Sequence, residues 1–297
     1  MLIMVKRYSA AIIPLLLLLM VNLTSCSVFS PPVVVPCYGH IDSISYSFVK
    51  SGYPSENSRF SYITDAWVYV DDNPVGAFQM PCTFPIVATS GVHQVKIYPG
   101  VKEDGVAGVR AIYPLYSFYT GYINLTQGSV VKMNEASVTY ASFAKFDWTE
   151  DFESGISIRR AYGSNVTMSR TSAPDSVFQG TYSGRIILDN TGTQTFIGRS
   201  DSMTLPHDGT SNVWLEINYN CNTMFSVGLY GQDTINQIAP NVYVYPTNGV
   251  WKKMYITLET TLAQSGVGQE PFSVYFEMQS IVGTRSVLLL DNIKLVQ

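Results

Sequence analysis

The sequence predicts an all-β protein, and three observations carry the prediction. Only 13% of its 297 residues are charged while Tyr alone occurs 20 times, and aromatic and β-branched residues suit the pleated, half-buried surface of a strand. The chain is punctuated by 22 Gly and 15 Pro, the residues that build turns and end strands. Outside the first 25 residues no apolar i, i+3, i+4, i+7 pattern persists over three turns, so no helix is expected. The length suits one or two domains. An apolar fraction of 46% excludes a disordered chain, and a net charge of −4 argues against a nucleic-acid-binding surface.

Taken in order, the chain opens with Lys6 and Arg7 ahead of an apolar run from Ala10 to Val21 that holds five consecutive leucines, Leu15 to Leu19. A bilayer span needs about 20 residues, so this shorter run with a basic flank reads as a signal-peptide core. Leu23-Thr24-Ser25-Cys26 follows at once. It resembles the lipobox of bacterial lipoproteins of the Bacteroidota type. The resemblance implies cleavage after residue 25, lipid on the Cys26 thiol and acylation of the new N-terminus. Loss of residues 1–25 removes Lys6 and Arg7 and no acid, leaving 16 basic against 22 acidic residues, a charge of −6. Lipid, and not charge, would then hold the protein to its membrane. Residues 26–36 carry Pro31, Pro32 and Pro36 and read as an extended tether with a reach of roughly 30 Å. No acid follows Cys26 closely, unlike surface-exported lipoproteins of the Bacteroidota. Nor does an Asp stand directly after it, the inner-membrane retention signal of enterobacteria. An outer-membrane anchor in a bacterial cell envelope is expected, with the face left open.

Residues 37–145 read as a first β-domain. Ala66 to Val70 is β-branched and aromatic, Asp71-Asp72-Asn73-Pro74 supplies a turn, and Val75-Gly76-Ala77-Phe78 starts the return strand of a hairpin. Gly91 to Ile97 then places Val92, Gln94 and Lys96 on one face and His93, Val95 and Ile97 on the other. Over residues 60–100 this order resembles PEGA-like and carboxypeptidase-regulatory-like modules. That implies a small immunoglobulin-like β-sandwich serving as scaffold or adhesive module. The aromatic stretch from Tyr113 to Tyr119 reads as core filling and edge shielding. Cys37 and Cys82 could pair in an oxidising envelope, and Cys221 reads as a buried small hydrophobe.

Residues 146–297 read as a second β-domain, a sandwich or jelly roll. Its alternating runs are Phe146 to Glu153, Tyr182 to Leu188, Val213 to Tyr219, Phe225 to Tyr230, Trp251 to Leu258, Phe272 to Phe276 and Val287 to Leu295. Asp151-Phe152-Glu153, Ser183-Gly184, Gly249-Val250-Trp251-Lys252 and Leu290-Asp291-Asn292-Ile293-Lys294-Leu295 together resemble the galactose-binding-like jelly rolls of carbohydrate-binding modules. In those modules an acid from the first and the last strand can share a structural calcium, which nominates Glu153 and Asp291. Calcium takes six to eight oxygens and the sequence offers these two, so both acids could equally cap strand ends or accept backbone amides.

Catalytic spacing is scarce. The three His, at 40, 93 and 207, fit no zinc motif, and there is no GxSxG elbow or Walker loop. Jelly-roll glycosidases pair two acids, and the Glu-x-Asp-x-x-Glu spacing is missing. The expectation is a non-enzymatic, lipid-anchored binding or adhesion module without a cofactor, its partner a glycan or an envelope protein and not nucleic acid. The alternative is a structural component of an envelope assembly. An exposed aromatic platform would separate the two. Trp214, Tyr219, Tyr230, Tyr243 and Tyr245 are its candidates, and Tyr243 and Tyr245 share one strand face on either side of Val244.

Overall fold

The computed structural model describes residues 35–47, 61–190, 192–231, 237–264 and 270–297. Cys26, the signal segment and most of the tether lie outside the described residues. The protein is all-β. Among the described residues ten strands precede residue 145: β1 (Cys37–Ile41), β2 (Ser45–Tyr46), β3 (Asp65–Val70), β4 (Asn73–Gln79), β5 (Cys82–Ile86), β6 (Gly91–Lys102), β7 (Arg110–Ile112), β8 (Tyr119–Leu125), β9 (Val130–Lys132) and β10 (Ser137–Val138). Strands β4, β3, β6 and β7 lie side by side with β8 also on β6, facing a smaller sheet of β5, β1 and β9. The β3–β4 turn sits on Asp71 and Asp72, at φ 50° and 63°. Two consecutive left-handed residues are the signature of the turn whose twist matches a two-residue hairpin, and Asp tolerates that conformation.

Eleven further strands follow: β11 (Phe146–Glu150), β12 (Arg159–Arg160), β13 (Ser169–Thr171), β14 (Ser183–Leu188), β15 (Thr195–Arg199), β16 (Trp214–Cys221), β17 (Phe225–Tyr230), β18 (Gln237–Val244), β19 (Lys252–Thr257), β20 (Ser273–Gln279) and β21 (Ser286–Val296). One sheet runs β13-β14-β21-β16-β19 with β11 beside the far end of β21, and the second runs β12-β15-β20-β17-β18. Their inner faces share one core of Ile186, Leu188, Phe196, Leu215, Ile217, Val227, Val274, Phe276 and Leu290 among others. This is the jelly-roll arrangement of two antiparallel sheets packed face to face.

The outer face of the β16-containing sheet is not a solvent face. Strands β16 and β21 are buried almost end to end, because Trp214, Tyr255 and Val296 belong to the core of residues 37–146, against Tyr113, Tyr116 and Tyr140. Backbone bonds fasten the same seam: Lys145 and Gln297 exchange two, at 2.7 and 2.9 Å, and Asp104 N–H donates to the Tyr255 carbonyl at 2.8 Å.

One expectation is corrected here, and one pairing that the sequence left open is decided. A helix does occur, α1 (Glu259–Gln264); its six residues make under two turns, too few to leave a periodic apolar signature. Cys37 and Cys82 are both free thiols. Cys37 pairs with Ile86 and Cys82 with Ile41 in the β1–β5 ladder, so they stand at opposite ends of it, about 13 Å apart along the strands, where a disulfide needs Cα atoms under about 7 Å apart.

Candidate functional site

The five aromatic candidates separate cleanly by exposure. Trp214 is 4% exposed, and Tyr219 and Tyr230 are buried as well. Trp214 faces the first half of the chain, its ring edge-on to Tyr113 at 5.2 Å, so it offers no platform. Tyr243 and Tyr245 are 59% and 73% exposed, and Val244 between them is buried in the jelly-roll core. Period-two alternation at the end of β18 produces that split. Beyond the strand the backbone is pinned, because the Thr247 N–H donates to the Cys221 carbonyl at 2.8 Å.

Tyr243 borders a cleft of about 440 Å³ on the outer face of the second jelly-roll sheet, lined also by Met224, Ser226, Glu277, Gln279 and Ile281. Register explains its shape. Tyr243 pairs with Ser226 on β17, and Ser226 pairs with Glu277 on β20. A small side chain lies between two large ones, in a row across strands about 4.8 Å apart. The result is a trough roughly 10 Å across, with an aromatic wall, a hydroxyl floor and a carboxylate wall. Gln279, two residues beyond Glu277 on the same face, donates from Nε2 to Glu277 Oε1 at 3.1 Å. Exposed Met224 and Ile281 make one end of the trough apolar. The sequence reading ended this strand at Phe276 and so missed Glu277 and Gln279. The alternation of polar Glu277 and Gln279 against buried Phe276 and Met278 was the signal that could have found them.

Glu153 and Asp291 are brought to the same loop, residues 175–182 between β13 and β14. Asp291, 1% exposed, takes the Ser183 hydroxyl at 2.6 Å and the Gln179 N–H at 3.3 Å on Oδ2, and the Asn292 N–H at 2.7 Å on Oδ1. Glu153 Oε1 takes the N–H groups of Thr181 and Tyr182 at 2.8 and 3.0 Å. The carbonyls of Phe152 and Glu153 accept from the Arg170 guanidinium at 3.0 and 2.9 Å, and that guanidinium also lies 4.2 Å from the centre of the Tyr182 ring. This donor set does not fit calcium. The carboxylates face N–H and O–H donors, which carry the same sign of charge as a cation, and the neighbouring carbonyls already serve an internal cation. Among the described residues no cluster of three or more His, Cys, Asp or Glu has a metal-binding arrangement. Burial raises the Asp291 pKa to about 7 against the pull of its three donors, with the Glu153 charge adding to the rise. The motif residues that suggested the jelly roll meet here for a packing reason: the Phe152 ring lies where a Cβ on Gly184 would stand, at 2.5 Å.

A buried polar cluster lies at the seam between the halves. Glu216 Oε2 is 2.5 Å from Lys253 Nζ, both fully buried. Glu216 Oε1 accepts from the hydroxyls of Tyr113 at 2.6 Å and Tyr140 at 2.7 Å. Lys294, the cross-strand neighbour of Glu216, donates to Tyr140 at 3.3 Å. The Lys253 and Lys294 charges outweigh desolvation and hold the Glu216 pKa below the usual range, while burial first, and then the Glu216 charge, push those of Tyr113 and Tyr140 well up. These bonds tie residues of the first half to strands β16, β19 and β21 of the second.

No protein-family profile matches the chain, and no curated protein matches it. Solved structures do resemble it. One is a carbohydrate-binding module of the β-sandwich superfamily, 15% identical, covering 78% of this chain and 85% of that one at a TM-score of 0.39. A family 11 carbohydrate-binding module from Clostridium thermocellum, in complex with a β-1,3-1,4-mixed-linked tetrasaccharide, is 15% identical and covers 51% and 94% at 0.32. A xylan-binding domain from Paenibacillus barcinonensis is 13% identical and covers 52% and 96% at 0.34. Identities and scores this low transfer neither a ligand nor the role of any residue.

Proposed function

We propose that the chain is a lipid-anchored protein of the bacterial cell envelope that holds a glycan, without cleaving it, in the trough between Tyr243 and Glu277. The observation that carries the reading is the trough itself. Sugar rings present an apolar face of C–H groups and a rim of hydroxyls. Tyr243 offers a flat aromatic face, and Ser226, Gln279 and Glu277 offer hydrogen-bonding groups at its edge. The same lining supports a role without cleavage. Glycoside hydrolysis uses two carboxyl groups roughly 5–9.5 Å apart, and the lining contains one, Glu277. Leu23-Thr24-Ser25-Cys26 supports the anchor, and residues 26–36 would lift the body about 30 Å from the headgroups.

A second reading, a component of an envelope protein assembly, is favoured by one observation. Met224, Tyr245, Ile281 and Val282 are exposed around the trough, and such a rim suits a protein partner as well as a sugar. One experiment separates the readings. Truncating an aromatic anchor typically costs roughly 1–3 kcal/mol. Replacing Tyr243 and Tyr245 by Ala should therefore weaken binding on a glycan array at least tenfold while the thermal midpoint stays put. Silence of the parent protein on the array, with a stable protein co-purifying, would select the assembly reading. The anchor has its own check: Cys26→Ala should abolish detergent-phase partitioning, and a cleaved variant that still fractionates with membranes refutes it.

A further inference from the structure

We propose that the seam cluster is a site of self-modification: Lys253 Nζ attacks the side-chain amide of Asn218, ammonia leaves, and an isopeptide bond ties β16 to β19, with Glu216 carrying the protons. The inference is independent of the glycan reading. Four observations carry it. Asn218 and Lys253 stand directly opposite each other in the β16–β19 ladder. Such pairs hold their Cβ atoms about 4.5–5.5 Å apart, a gap that the outer atoms of a lysine side chain can cross. Glu216, two residues from Asn218 on the same strand face, has Oε2 at 2.5 Å from Nζ. Asn218 is fully buried, yet its Oδ1 and Nδ2 have no hydrogen-bond partner among the described residues. An amide stranded in a native core calls for an explanation, and a role as substrate supplies one. Aromatic rings enclose the group: Tyr113 lies 5.2 Å from Trp214 and 4.9 Å from Tyr255, centre to centre, and Nζ lies 5.2 Å from the centre of the Tyr255 ring. Surroundings of this kind favour the uncharged amine, which is the nucleophilic form of lysine.

The reaction balances without a co-reactant. The Lys253 ammonium gives one proton to the Glu216 carboxylate. The freed lone pair on Nζ attacks Asn218 Cγ, which forms the new C–N bond and places charge on Oδ1. Glu216 passes its proton to Nδ2, the charge on Oδ1 folds back into the carbonyl, and the Cγ–Nδ2 bond breaks. A second proton shed by Nζ follows through the same carboxylate, so ammonium leaves and Glu216 ends ionised as it began. Burial raises the Glu216 pKa and the Lys253 and Lys294 charges lower it, and the charges win. The first transfer therefore runs uphill, which a bond made once per molecule tolerates, and escape of ammonium makes the step irreversible. The product suits the place. Strand β19 stands at the end of its sheet and carries a contact to the first half, the Asp104 N–H on the Tyr255 carbonyl at 2.8 Å. A covalent tie to β16 keeps that strand from peeling away when the seam is heated or pulled.

The test is peptide mapping by mass spectrometry of the full-length protein, purified in detergent, denatured and digested with trypsin, which cuts after a free lysine and not after an acylated one. The expected result is a species in which the segments holding Asn218 and Lys253 are joined, uncut after Lys253 and lighter by the mass of one ammonia. Lys253→Arg keeps a cation beside Glu216 but cannot form the bond, so the joined species should disappear completely. Asn218→Ala should abolish it as well, and Glu216→Gln should leave both side chains unreacted. If Glu216→Gln fails to fold, the parent digest and Lys253→Arg still decide. A parent protein cut normally after Lys253, with the Asn218 amide intact, overturns the proposal. So does a loss of ammonia that maps elsewhere, such as a succinimide at Asn248-Gly249, or a joined species that survives Lys253→Arg. A joined species that still forms in Glu216→Gln overturns the part given to Glu216.

Discussion

Single residues decide where this chain puts its charges, and the sequence shows the residues without showing their surroundings. Glu216, Lys253 and Lys294 fall on the polar beat of alternating strands, and that pattern reads as a solvent face. All three are buried, because the partner surface is built from Tyr113 and Tyr140, 103 and 76 positions from Glu216. Tyr243 and Tyr245 were legible since Val244 between them marks the core side locally. Asp291 was legible as a special position but not as a titrating one. Burial lifts its pKa to about 7, against about 3.9 unfolded. An acid with a raised folded pKa binds more protons folded than unfolded between those values, so stability falls as pH rises from about 4 to about 7. Asp104, lifted to about 6 mainly by burial, acts in the same sense. The Asp291 contribution has an upper bound of about 4 kcal/mol. Asp208, held at about 2 by the N–H groups of Thr210 and Ser211, contributes stability that is lost only as pH drops below about 4. Urea-denaturation midpoints measured from pH 4.5 to 7.5 should decline, and Asp291→Asn should flatten the decline. A variant with the parent's slope would show that another group sets it.

At the scale of elements, local turn chemistry and alternation were readable, and long-range ties were not. The β3–β4 hairpin follows from Asp71-Asp72 alone, and β17 falls where Phe225 to Tyr230 alternates. The loop between β13 and β14 shows what a sequence hides. Its shape depends on Glu153 and Asp291, which lie 22 residues before it and 109 residues after it, counted from its ends at Asp175 and Tyr182. Phe152 at φ 61° and Asn292 at φ 44° are the backbone excursions that aim those acids at the loop's N–H groups. Arg170 completes the tie by bridging two carbonyls. The guanidinium places a positive charge of the chain's own against these carbonyls. Addition of calcium, or of a chelator, should therefore leave the thermal midpoint unchanged within about 1 °C, whereas Arg170→Ala, which strands two carbonyl acceptors and a ring contact, should lower it by several degrees, about 1–3 kcal/mol. A clear calcium-dependent rise in the parent protein would refute the guanidinium's role.

For the whole molecule, the seam between the halves governs how it unfolds. The ladders of residues 37–138 and 146–296 exchange no strands among the described residues, which alone would suit two independent units, as composition and turn spacing suggest. Trp214, Tyr255 and Val296 of the second half nonetheless sit in the core of the first, and the Glu216 cluster bridges the halves with charge. Burying ions costs more than their attraction returns unless every partner is in place. The cluster therefore specifies one docking geometry in preference to merely strengthening adhesion: any shift of the halves would pull Tyr113 and Tyr140 away from Glu216 and leave its charge in an apolar seam. Two consequences follow for calorimetry. The parent protein should unfold in one transition, since neither half keeps a satisfied surface when the other melts. Glu216→Gln retains acceptor capacity for the tyrosine hydroxyls but leaves Lys253 and Lys294 buried without their counter-charge, so it should cost about 3–5 kcal/mol and split the transition as the seam opens first. Replacing Glu216, Lys253 and Lys294 together by Met removes the stranded charges and should recover most of that loss. Two well-separated transitions in the parent, or a Glu216→Gln variant as stable as the parent, would show that the halves are tethered neighbours and not a single cooperative body.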